Sequence, residues 1–314
     1  MDILTVTLNT AIDRTLEVPG FAVGGHVRGR LIRLQPAGKG VNVSRCLAAL
    51  GVPSTATGLV GQRDIHLFED SFTGSRVTPQ FVPIPSPTRT NTTILDPEAG
   101  TDTHIRELGP RIGPGALEAL RTRLSELVGP GSLVVFCGSL PPGVGCEELA
   151  ALMGLCRDRG AELGADLNGP HLATAIEAGA RLVKPNVAEL GELLRSQLAP
   201  EDDRDIVNAA STLLPNVQTV LVTRGALGAL AVSREENLAC QVEIERPRNT
   251  VGCGDAFLAG YLAALWRRED PARALSLATA CGAAAALAQA AGTISPAEVE
   301  QLASRARTWE PPRS

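Results

Sequence analysis

Aromatic side chains are scarce: six Phe, two Trp and one Tyr make up 3% of 314 residues. A ligand site built on stacked rings is therefore not expected, and the core falls to Leu, Val, Ile and Ala. Paired cysteines are missing too. Cys46, Cys137, Cys146, Cys156, Cys240, Cys253 and Cys281 include no CxxC pair and no Cys/His cluster at zinc-ligand spacing. An odd, scattered set reads as free thiols of a reducing compartment, and a cytoplasmic location is expected. There is no excess of positive charge, with 29 Lys and Arg against 34 Asp and Glu and a net charge of −5. Nothing in that balance points to nucleic acid or an anionic membrane as partner. An anionic substrate must instead be gripped by a few placed cations. Long apolar runs are also absent, and residues 1–8 lack the cationic start and long apolar stretch of a signal peptide. What remains is an ordinary globular balance of 44% hydrophobic and 20% charged residues. A chain this long buries roughly three-quarters of its unfolded surface, so core size is no obstacle.

The periodicity of the chain predicts alternating strands and helices. Residues 3–8 form a short run of β-formers. After a Gly turn, Val43, Cys46, Leu47 and Leu50 recur at helical spacing and stop at Gly51. Strands are expected at 132–136, 162–167, 181–183 and 219–223, and helices at 147–159, 187–198, 253–267 and 272–290. This order implies an α/β fold with a mostly parallel sheet covered by helices on both faces. Two stretches, 15–34 and 90–107, show alternation and turn residues without a helix. They are expected to be strands inserted into the core and forming a small sheet. Residues 309–314 are rich in Pro and charge and are expected to fray.

Six segments carry candidate chemistry. Thr250-Val251-Gly252-Cys253-Gly254-Asp255 leads into an apolar helix. Backbone N–H groups at a helix start are unpaired and carry partial positive charge, and glycines let them approach an anion. Phosphoryl transfer needs such donors, and a neighbouring carboxylate suits a proton acceptor. A strand–helix turn capped by Asp255 explains the same residues equally well. Near the helix start, the dipole is expected to keep Asp255 ionised. In Lys184-Pro185-Asn186-Val187-Ala188-Glu189, the three-residue spacing of Asn186 and Glu189 fits a capping box. It also fits two groups ordering the water shell of Mg²⁺. Thr223-Arg224-Gly225-Ala226-Leu227-Gly228 follows a strand, where nucleotides bind in open α/β sheets, and it also reads as a hairpin turn. Gly38-Lys39-Gly40-Val41-Asn42 is a second Gly turn entering a helix, without P-loop spacing. Arg89 and Asn91 share a strand face, and a planar guanidinium suits a phosphate. Asn9 and Asp13 flank the exit from the first strand, where they suit sugar hydroxyls or turn hydrogen bonds.

In this combination and order, the chain resembles the PfkB (ribokinase-like) carbohydrate kinases over nearly its whole length. The pairing of the 250–255 turn with the 184–189 segment is the most specific element. Thr7-Leu8-Asn9-Thr10-Ala11-Ile12-Asp13 and Ala37-Gly38-Lys39-Gly40-Val41-Asn42-Val43 look like the branch acting on phosphorylated hexoses, which includes 1-phosphofructokinase and tagatose-6-phosphate kinase. The resemblance implies a ribokinase-like three-layer core with a small β-sheet lid, in a single domain over 1–314 with lid segments near 12–36 and 88–108. It implies Asp255 as base and Gly252, Cys253 and Gly254 as anion hole. Asn186 and Glu189 would serve Mg²⁺, through water, and the ATP phosphates. Lys184, Asn186, Gly254 and the run Thr223, Arg224, Gly225, Ala226, Leu227 and Gly228 would contact ATP. Asp13, Gly38, Lys39, Asn42, Arg89 and Ser139 would bind the sugar phosphate, and Asp166 matches a strand-end carboxylate. The lid in relatives often mediates dimerisation. Departures from the pattern are Thr10 for Pro, Cys253 for Ala or Ser, His104 and Arg106 for Glu and Asn, and a missing second Gly in Gly61-Gln62-Arg63-Asp64. The implied substrate is fructose 1-phosphate, with tagatose 6-phosphate second. A sugar-phosphate or nucleotide sensor that has lost catalysis is the alternative of another class.

Overall fold

The computed structural model describes residues 1–248, 250–288 and 290–312. Among these, the strands in chain order are β1 (Asp2–Thr7), β2 (Ala11–Glu17), β3 (Arg30–Ala37), β4 (Ser54–Gly61), β5 (Val77–Pro79), β6 (Val82–Ile84), β7 (Arg89–Asp96), β8 (Thr101–Arg106), β9 (Ser132–Cys137), β10 (Glu162–Asp166), β11 (Leu182–Val183), β12 (Thr219–Thr223), β13 (Ala229–Ser233), β14 (Asn237–Gln241) and β15 (Arg307–Trp309). The helices are α1 (Lys39–Ala49), α2 (Ile65–Asp70), α3 (Pro114–Leu127), α4 (Cys146–Asp158), α5 (Pro170–Glu177), α6 (Val187–Leu194), α7 (Asp203–Ser211), α8 (Cys253–Arg267), α9 (Pro271–Leu287) and α10 (Pro296–Ser304).

The large sheet runs β15-β14-β13-β12-β11-β10-β9-β1-β4-β5, with β6 also on β4. From β5 through β12 every pairing is parallel. The hairpin and tail β13–β15 pair antiparallel. Burial follows the pleat. On β9, Val134 and Phe136 point into one core with Leu124 of α3, Leu149 of α4 and Ile206 of α7. Leu133, Val135 and Cys137 point into the other, with Leu47 of α1, Phe257 of α8, Leu275 of α9 and Val299 of α10. A sheet buried on both faces needs a run of apolar residues rather than strict alternation, which is why its strands read as short solid blocks. The result is the expected three-layer core.

The inserted stretches form a separate four-stranded sheet in the order β3-β2-β7-β8. β2 and β7, far apart in sequence, pair in parallel at its centre. The sheet is rooted in the core where β1 passes into β2: the buried Thr10 hydroxyl donates to the Leu59 carbonyl.

Several boundaries differ from expectation. α6 stops at Leu194, not 198, because Arg195 turns left-handed with φ 53° and ends the helix. The helix expected over 272–290 is seen as Pro271–Leu287, and its remaining stretch includes Gln289, outside the described residues. The tail expected to fray is partly ordered. β15 pairs with β14, and the Trp309 indole donates to Asp203 Oδ2, while Arg313 and Ser314 lie outside the described residues.

Candidate active site

Parallel strands deliver their carboxyl ends to one edge of the sheet, and the candidate residues collect there. Ser139 follows β9, Asp166 ends β10, Lys184 follows β11 and Thr223 ends β12. Gly38 and Lys39 open α1, and Gly252–Asp255 open α8. Gly38 has φ 132°, and a Cβ there would press on Thr7 Cγ2 at 2.8 Å. Only glycine lets α1 begin so close to β1. Gly252, at φ 84°, performs the same turn for α8.

At the centre lies a cluster of buried charge. Asp166 is fully buried, and its Oδ1 faces both Lys39 Nζ at 2.9 Å and Lys184 Nζ at 3.3 Å. Burial alone would raise its pKa, but the two ammonium groups, Lys184 first, outweigh it and hold the carboxyl below its usual value. Asp166 Oδ2 has no hydrogen-bond partner among the described residues. Lys39, expected at the sugar phosphate, is ion-paired with Asp166, and Asp166 and Asp255 overcome the effect of burial and raise its pKa. Lys184 lies against the 250–255 turn, since a Cβ on Gly254 would sit 3.3 Å from its Nζ.

Asp255 is buried at the first turn of α8, and its Oδ2 accepts a 2.8 Å hydrogen bond from Asn42 Nδ2. Its pKa is raised to about 6, by burial first and by the charge of Asp166 second. Lys39, Asn42 and Lys184 pull the other way without cancelling the shift. The dipole at the helix start favours the ionised form, but burial outweighs it. Desolvation exceeds a dipole effect of about 1 kcal/mol. A carboxyl titrating near 6 is a better proton acceptor than one at 3.8.

The two segments expected at ATP are neighbours. The Thr223 N–H donates to the Pro185 carbonyl at 3.1 Å, and Asn186 and Thr223 form a parallel bridge. Asn186 and Glu189 make the capping box: Asn186 Oδ1 accepts from the Glu189 N–H, and Glu189 Oε2 from the Asn186 N–H, both at 2.9 Å. The 223–228 turn is the hairpin turn between β12 and β13. Arg224 is buried, ion-paired with Asp203, and donates to the carbonyls of Pro200 and Leu227. Its side chain braces the turn from behind. Gly225 and Gly228 carry positive φ, and Gln241 Nε2 donates to the Ala226 carbonyl.

On the small sheet, Asp13 and Asn91 are register partners, and Asn91 Nδ2 donates to Asp13 Oδ1 at 3.0 Å. Arg89 donates to the carbonyls of Asn9, Thr10 and Glu107. These bonds leave two of its five N–H donors for a ligand. Asn9 Nδ2 donates to the Leu108 carbonyl and to Ser139 Oγ, joining the root of the small sheet to β9. Arg45 was not anticipated. Its guanidinium donates to Asn42 Oδ1 at 3.2 Å and to the Pro36 carbonyl at 2.9 Å. The signal was its position three residues after Asn42, on the same face of α1.

A three-layer α/β core, an anion-receptive helix start with a buried carboxylate, and a β-sheet flap define a phosphoryl-transfer enzyme of the sugar-kinase class. The chain belongs to the pfkB family of carbohydrate kinases, whose model matches residues 4–298. It is 38% identical to a 1-phosphofructokinase of Rhodobacter capsulatus over 310 residues, covering 98% of this chain and 96% of that one. It is 27% identical to a tagatose-6-phosphate kinase of Staphylococcus epidermidis over 303 residues, covering 96% of this chain and 97% of the other. The solved structure of Escherichia coli phosphofructokinase-2 with fructose-6-phosphate superposes with a TM-score of 0.88 at 26% identity, covering 96% of this chain and 98% of that one. Membership of this family makes ATP the co-substrate.

Proposed function

We propose that this kinase phosphorylates fructose 1-phosphate, giving fructose 1,6-bisphosphate and ADP. The observation that carries the chemistry is the buried Asp255, with a pKa near 6, at the Gly252–Gly254 helix start. The sugar hydroxyl attacks the γ-phosphorus of ATP, the bond from that phosphorus to the ADP oxygen breaks, and Asp255 takes the hydroxyl proton. The backbone N–H groups of Gly252, Cys253 and Gly254 meet charge on the transferring oxygens. The base need not be strong, because the transition state is loose. Asp13, Gly38, Lys39, Asn42, Arg89 and Ser139 hold the sugar phosphate. Lys184, Asn186 and residues 223–228 hold ATP.

Mg²⁺ fits the donor set. Among the described residues no group of three or more His, Cys, Asp or Glu could hold a metal, but Mg²⁺ keeps most of its waters and needs few protein ligands. The unpartnered Oδ2 of Asp166 and the carboxylate of Glu189 suit such waters, and the ion would neutralise phosphate charge. In this reading the chain is one cytoplasmic kinase domain, with segments 12–36 and 88–108 as lid. The lid is also the dimer surface, since Leu31, Ile32, Leu34 and Ile105 are exposed on it.

Tagatose 6-phosphate is the second substrate reading, favoured by the similarity to the Staphylococcus epidermidis enzyme. The test is ADP release over a panel of hexose monophosphates and free hexoses. Fructose 1-phosphate should give the highest kcat/KM. Thermal stabilisation by sugar phosphate without ADP release would instead mark a sensor. Arg89→Ala should raise KM for the phosphosugar far more than for ATP.

A further inference from the structure

We propose that Arg45 is a positioning residue for the proton-accepting carboxylate: it fixes the amide of Asn42 so that its nitrogen faces Asp255, and it ties that setting to the end of β3. The inference rests on Asp255 being the base. The two ends of an Asn amide have nearly the same shape, so only the hydrogen-bond network decides which end faces which neighbour. A guanidinium is donor-only. With Arg45 Nη1 at 3.2 Å, that end must be Oδ1, which leaves Nδ2 to donate to Asp255 at 2.8 Å. A flipped amide would set donor against donor at Arg45 and acceptor against carboxylate at Asp255.

Arg45 is itself constrained. Its Nη2 donates to the Pro36 carbonyl at 2.9 Å, and the guanidinium lies 5.9 Å from the centre of the Phe72 ring. Gly292 packs against the pair: a Cβ there would stand 2.7 Å from Asn42 Oδ1 and 3.0 Å from Arg45 Nη1. Gln35 Nε2 reaches the Ala291 carbonyl at 3.4 Å, so the same end of β3 also touches this backbone. A displacement of β3 therefore moves the anchor of Arg45 and, through Asn42, the donor on Asp255. The other charged or titratable groups around Asp255 are Lys39 and Cys46 from α1, Cys137 from β9, Asp166 from β10, Lys184 after β11 and the adjacent Cys253. None of them hydrogen-bonds Arg45 among the described residues; Arg45 itself faces the charges of Cys46 and Asp13, and the Asn42→Ala background separates an effect carried by Asn42 from one of the Arg45 charge.

The test is the pH dependence of kcat/KM for Arg45→Met, Arg45→Lys, Asn42→Ala and the double variant Arg45→Met/Asn42→Ala, alongside Asp255→Asn. In the wild type the acid limb should fall near 6. Arg45→Met should move it up by about one pH unit, the equivalent of one hydrogen bond to an ionised group, and lower kcat roughly tenfold with KM for ATP unchanged. Arg45→Lys should recover part of both changes. If Arg45→Met does not fold, Arg45→Lys carries the test, with a smaller shift in the same direction. In the Asn42→Ala background, Arg45→Met should add no further shift. An unmoved limb in the folded Arg45 variants, or the same shift with and without Asn42, would overturn the proposal. Near-normal turnover by Asp255→Asn would sink the base assignment itself. An inactive Asp255→Asn beside an unmoved Arg45 limb would sink only the role of Arg45.

Discussion

Asp255→Asn should make the protein more stable while removing most of kcat. Asp255 has a pKa of about 6 in the fold against 3.8 ordinarily. A pKa raised by folding means that the native state prefers the protonated form. The associated stability is complete below about 3.8 and is lost as pH rises through about 6. A gap of about two units corresponds to about 3 kcal/mol, which the wild type forgoes at neutral pH by ionising a buried carboxyl. Asn keeps the shape, accepts the Asn42 hydrogen bond through its own oxygen and never ionises. Thermal unfolding entropy is about 2.1 cal/mol/K per residue, so a chain of this length should gain about 4–5 °C in Tm from 3 kcal/mol. The assay is calorimetry of wild type and variant from about pH 8 down to about pH 4. The gap should be widest at the alkaline end, shrink through 6 and close near 4. Equal melting temperatures at about pH 8, or a gap independent of pH, would refute the burial argument.

Asp166→Asn removes the negative charge that helps raise the Asp255 pKa, so the acid limb of kcat/KM should move below 6; a limb at 6 or above contradicts that coupling. The same change leaves Lys184 buried without its counter-charge and should cost about 3 kcal/mol or more in urea unfolding. Arg224→Met breaks a buried ion pair with Asp203 and should cost about 2–3 kcal/mol and raise KM for ATP, because the 223–228 turn loses its brace; a loss below about 0.5 kcal/mol would show that the pair is dispensable. Gly58→Ala should give no folded protein. Gly58 has φ 145° and a Cβ there would lie on the Thr7 carbonyl; a soluble variant melting like the wild type would exclude that packing.

The helix starts were legible because each carries its own local chemistry: glycine before α1 and α8, and the Asn186–Glu189 box before α6. The parallel strands were legible as short apolar blocks. The pairing of β2 with β7 was not, because nothing local encodes a partner more than seventy positions away. The candidate site was legible as a set of residues and much less so as an electrostatic system. Lys39 gives no sign in sequence that Asp166 awaits it 127 positions later. Asp255 looked like an ordinary acid at a helix start because the desolvation that raises it comes from elements throughout the chain. Trp309, the last residue of β15, looked like part of a frayed end because the prolines and charges that follow it carry almost no periodicity.

That last strand has a consequence for synthesis. β14 is an edge until residues 307–309 pair with it, and an open edge exposes unpaired backbone donors and acceptors. The nascent chain therefore carries a sticky margin until residues 307–309 have been made. Products truncated before Arg307 should be recognised by their self-association, even though every residue proposed for catalysis is already present in them.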